Sequence, residues 1–117
     1  MESQKENLKR SFDEFSKGTA DDLLNRTRKQ IECILIYILK IEDCFWDDNE
    51  PRLRDLIEAC KENELLEKKL IERLYEAMKY CNKGSHFNTE KVENGCVYFT
   101  LKTTSELIDF WEKSYVK

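Results

Sequence analysis

The sequence predicts an all-α fold, a single bundle of four to five helices, on three observations. Turn formers are scarce, with one Pro and three Gly in 117 residues. Charged residues (38%) nearly match hydrophobic ones (40%), the balance expected of helices with solvated outer faces. Apolar side chains recur at three- and four-residue spacing along most of the chain. A domain of this length buries roughly two-thirds of its unfolded surface, so it needs no disulfide or metal as a staple.

Residues 1–18 read as an N-terminal helix or arm, with Leu8, Phe12 and Phe15 on one face and Lys17-Gly18 as its stop. Thr19 is placed to cap the next helix, and Asp21 and Asp22 fall in its first turn, where the helix dipole favours negative charge. Residues 19–46 form the expected long central helix. Its run Ile34-Leu35-Ile36-Tyr37-Ile38-Leu39 is apolar all round, so neighbours in the bundle or a second subunit must cover it. Asp47-Asp48-Asn49-Glu50 is a turn, and Pro51 suits the first turn of a helix over 51–63. Asn63 is a weak break before a helix over 65–81. Residues 82–102 read as a loop in which 96–101 (Cys-Val-Tyr-Phe-Thr-Leu) has strand-like composition, an extended connector or half of a small hairpin. Thr103 with Glu106 has the capping-box pattern and opens a C-terminal helix over 103–115.

No apolar run is long enough to span a membrane, and the first residues lack a signal-peptide core, so a cytoplasmic location is expected. Five scattered cysteines with one histidine match no zinc spacing and read as reduced thiols in or near the core. No metal or other cofactor is expected. The net charge of −4 argues against a general nucleic-acid binder. Its distribution is more permissive: Arg26, Arg28 and Lys29 cluster near the start of the central helix. Lys68, Lys69, Arg73, Lys79 and Lys83 lead toward His86. Such charge is first of all what solvated helix faces carry; the sharper reading is a local positive surface near His86.

His86 is the only histidine, and it closes the run Cys81-Asn82-Lys83-Gly84-Ser85-His86. Histidine titrates nearest neutral pH and is the default proton-transfer group. As plain structure, the same run is a helix stop, with Asn82 as a C-cap and His86 favoured by the dipole. The aromatic residues read mainly as core or dimer seam; Trp46, beside Asp47-Asp48, is the exception that suits a protein-docking spot.

The order of these features resembles a HEPN-like domain. Arg28-Lys29-Gln30-Ile31-Glu32 lies on a long helix, Leu53-Arg54-Asp55-Leu56-Ile57-Glu58-Ala59-Cys60 follows, and a later helix runs into Asn82-Lys83-Gly84-Ser85-His86. The resemblance is to the uncharacterised branch with a Gly-Asn-x-small-small-His helix terminus, and it covers about 20–111. It implies a small all-α bundle that commonly homodimerises. Many members are metal-independent ribonucleases of defence, toxin–antitoxin or CRISPR systems; others are non-catalytic modules for dimerisation and RNA or nucleotide binding. Catalytic members carry Arg, then a polar residue, then His. Here Asn82 and His86 match, but Cys81 stands where the Arg belongs, and Lys79 is the nearest basic substitute. Lysine lacks the bidentate fork that suits a phosphate.

The expected function is therefore a non-catalytic, dimerising module that binds RNA, a nucleotide or a protein partner in a defence, toxin–antitoxin or mobile-element setting. Lys83, Arg73, Arg28, Lys29 and Ser85 are its candidate contacts. Two alternatives stand beside it. One is a small metal-independent endoribonuclease using His86, Asn82 and Lys79; the other is a phage-type inhibitor of a host factor, suggested only by size and acidity.

Overall fold

Five helices make up the described part of the chain in a computed structural model: α1 (Gln4–Phe15), α2 (Ala20–Ile41), α3 (Leu53–Glu62), α4 (Lys68–Ser85) and α5 (Asn94–Tyr115). The described residues are 4–15, 20–46, 51–85 and 94–115. Among them there is no strand, and no helix is long and apolar enough to cross a membrane.

α2 is the axis and packs on all four other helices. Leu23, Leu24, Ile31, Ile34, Leu35, Ile38 and Leu39 are fully buried. The periodicity that predicts the helix is thus the periodicity of its contacts. Two polar residues on the same side are satisfied at close range. Thr27 Oγ1 donates to the Leu23 carbonyl (2.7 Å), and Gln30 Nε2 donates to the Gln4 carbonyl (3.0 Å) and side-chain oxygen (2.8 Å). The second pair fastens α1 to α2. The apolar run is not buried all round: Tyr37 is 43% exposed, and Ile41, just beyond it, 58%.

Both α2 and α3 end in Schellman turns built without glycine. The Cys44 N–H reaches the Leu39 carbonyl (2.8 Å) and the Asp43 N–H the Lys40 carbonyl (3.1 Å), with Asp43 at φ 56°. Leu65 and Glu64 repeat the pattern onto Cys60 (2.9 Å) and Lys61 (3.2 Å), with Glu64 at φ 53°. The central helix therefore stops at Ile41 rather than at residue 46. Phe45 and Trp46 fold back onto the core, stacked on each other with ring centroids 5.4 Å apart. Trp46 is half-buried there. Pro51 lies outside α3: Arg52 is the N-cap, and its N–H donates to the Asp55 carboxylate (3.3 Å).

The segment 96–101 is helical, neither an extended connector nor half of a hairpin. Val97, Leu101, Thr104 and Ile108 are all buried, at intervals of four, three and four residues. Thr100 and Thr104 settle their hydroxyls on the carbonyls four residues back, each at 2.8 Å. Tertiary burial of that stripe outweighs the β-branched and aromatic composition. Thr103 and Glu106 are consequently interior to α5: Thr103 is buried, and Glu106 pairs with Arg73. The expected loop over 82–102 shrinks, because α4 runs on to Ser85 and α5 begins at Asn94. The Arg73–Glu106 ion pair and the edge-on Tyr80–Phe99 contact (5.7 Å) set α4 and α5 antiparallel.

Candidate functional site

An open cavity of about 510 Å³ lies where α2, the N-terminus of α3 and α4 meet. Three arginines line it. Arg28 comes from α2, and Arg52 and Arg54 come from the cap and first turn of α3. Glu32 supplies one acidic wall, and Pro51, Leu53 and Met78 the apolar part. Among the described residues the lining charges sum to +2, in a chain whose net charge is −4. The first-turn N–H groups of α3 sit at the same place, at the positive end of the helix dipole. Asp55 partly offsets that end by accepting from the Arg52 N–H.

Arg28 is held rather than free. Its Nη2 donates to Asn25 Oδ1 (2.8 Å), and its Nη1 lies 3.6 Å from Glu32 Oε1, one turn along the helix. Its Nε is buried and meets no hydrogen-bond acceptor among the described residues. Glu32 is half-buried, and desolvation raises its carboxyl above the ordinary range while Arg28 and Lys29 pull the other way. Arg52 and Arg54 are exposed and make no ion pair among the described residues.

Cys81 is fully buried beside this cavity, near enough to Arg28 and Glu32 for both charges to act on it. Burial pushes its thiol up to about 12. The end of α4 and the Arg28–Glu32 element, far apart in the chain, are therefore neighbours. Position 81 faces core.

The other expected residues are dispersed. Lys29 is exposed beside Arg28, and Lys79 is exposed on α4. Arg73 is turned to α5, in its ion pair with Glu106. Asn82, Lys83 and Ser85 belong to the last turn of α4, but their side chains lie outside the described residues, as does His86 entirely. Asp47, Asp48 and Glu50, which precede Pro51, lie outside them as well. Arg52 and Arg54 are the site residues that sequence reasoning missed. A basic residue at a helix start gives no local signal that separates it from one on a solvated face.

Among the described residues no group of three His, Cys, Asp or Glu is arranged to hold a metal ion. All five cysteines are free; Cys60 and Cys81 are buried, and Cys33, Cys44 and Cys96 are half-buried.

No family model, curated protein or solved structure matches this chain.

Proposed function

We propose that this protein is a non-catalytic, HEPN-like helical module that dimerises and binds RNA or a nucleotide. The observation that carries the binding half is the cavity formed by Arg28, Arg52 and Arg54, a concentration of positive charge on an acidic protein. Cationic side chains with a helix N-terminus are the ordinary apparatus for phosphate. Support for a non-catalytic role comes from Cys81, whose side chain is core and leaves no cation at the motif's Arg position. Dimerisation has a candidate face in Tyr37 and Ile41, with Trp111 stacked on Tyr37 at 6.2 Å.

Fluorescence anisotropy with a labelled mixed-sequence RNA tests binding, and incubation of the same RNA in EDTA tests catalysis. Binding without cleavage is expected. Cleavage by the native protein that disappears in His86→Ala would replace the module by a metal-independent ribonuclease. Sedimentation velocity on the native chain and on Ile41→Glu tests the dimer. A native monomer removes that half of the proposal.

A further inference from the structure

We propose that the cavity between α2 and α3 is a site for a ribonucleotide bearing a terminal phosphate, with the phosphate on Arg52 and Arg54 and the ribose hydroxyls on Glu32. The proposal rests on the reading of the protein as a nucleotide- or RNA-binding module and assigns that reading a ligand and a place. The lining divides into chemically different parts. One end has two exposed guanidinium groups that make no ion pair among the described residues and the first-turn N–H groups of α3, all donors, which suit an oxyanion. Another wall has a half-buried carboxylate, an acceptor that repels phosphate and attracts hydroxyl donors. Leu53 and Met78 add apolar surface for the sugar and base. Arg28 lies beside Glu32, with an Nε donor still unmatched among the described residues, and its charge opposes the rise that burial gives the carboxyl. The volume, about 510 Å³, lies in the range of small-molecule sites, roughly 300–1,000 Å³.

The same chemistry is offered by a free nucleoside monophosphate and by the 5′-phosphorylated end of an RNA, so the test includes both. Full-length protein is titrated calorimetrically with AMP, dAMP, adenosine and inorganic phosphate. Short RNAs with a 5′-phosphate or a 5′-hydroxyl are titrated in parallel. AMP is expected to bind more tightly than dAMP and adenosine. Arg52→Gln and Arg54→Gln, both at exposed positions, are each expected to weaken AMP about tenfold, the loss of one charge-assisted hydrogen bond. Glu32→Gln is expected to narrow the gap between AMP and dAMP. Tighter binding of the 5′-phosphorylated RNA than of AMP assigns the site to an RNA end; the reverse assigns it to the free nucleotide. AMP binding that is indifferent to Arg52 and Arg54, or adenosine binding as tightly as AMP, overturns the proposal. RNA binding that ignores the 5′-phosphate and both arginines also overturns it, yet leaves the module reading standing. Failure of every nucleotide and every RNA to bind removes both.

Discussion

Cys60 and Cys81 show how far burial alone moves a side chain's chemistry. Both thiols are pushed up to about 12, chiefly by desolvation. The folded state therefore holds these protons more tightly than the unfolded chain, whose thiols ionise near 9.0. Their contribution to stability is complete below about pH 9 and is lost as pH rises toward about 12. Tyr115, raised in the same direction by burial and by its hydrogen bond to the Glu42 carboxylate, adds to the alkaline loss. The urea midpoint is expected to fall steadily above pH 9, and less steeply in Cys81→Ala; a midpoint flat to pH 11 would contradict the assignment. In mildly alkaline buffer, iodoacetamide should label Cys33, Cys44 and Cys96 before Cys60 and Cys81, as peptide mapping would show. Glu64 presents a different residue-scale cost. A non-glycine residue in the left-handed region is disfavoured by roughly 1 kcal/mol, so Glu64→Gly is expected to raise stability by about 0.5 kcal/mol or more. Chemical denaturation measures it, and a loss of stability would mean that the Glu64 side chain contributes more than its backbone costs.

At the scale of elements, α5 is decided by its burial stripe. Val97, Thr100, Leu101, Thr104, Leu107 and Ile108 form one face of a helix that packs on α1, α2 and α4. Gly95 stands in the first turn of α5, and a Cβ added there meets nothing within 4 Å. Gly95→Ala is accordingly expected to stabilise the protein by about 0.5–1 kcal/mol, through helix propensity and a less flexible unfolded chain. Thermal unfolding reads the change, and an unchanged or lowered midpoint would argue against a helical residue 95. On α2, Leu35→Ala opens a hole at a fully buried position and should cost about 2–5 kcal/mol. Ile38 is equally buried within one chain, so a charge there unfolds the bundle and says nothing of a dimer. Tyr37 and Ile41 are the positions on that helix from which association can be probed.

For the whole molecule, the decisive feature is a local charge opposite in sign to the total. An acidic chain brings together Arg28, Arg52 and Arg54 because α3 starts against the flank of α2. RNA binding through Arg52 and Arg54 should weaken with salt, with a log–log slope of about −1.4 for a single strand. Binding insensitive to salt would place the contact on uncharged surface instead. The same packing decides which parts of the candidate site were legible in the sequence. Arg28 was legible because it stands in a recognisable charged element, and Cys81 because it departs from a motif. Arg52 and Arg54 were not, since a basic residue at a helix start is indistinguishable from a solvated one until a second helix walls it in. Arg73 looked like a site cation, yet its partner is Glu106 of α5, which only the pairing of α4 with α5 reveals.

Periodicity by itself determined a helical bundle with α2 at its centre, because an amphipathic helix is stable only with its apolar stripe against other helices. The helix ends, the helical state of 96–101 and the gathering of the arginines were decided by tertiary structure. Schellman stops at Asp43 and Glu64 leave no glycine to read, and strand-like composition yields to a buried stripe. A cavity belongs to no single segment: its charge is the sum of side chains that are neighbours only after the helices pack.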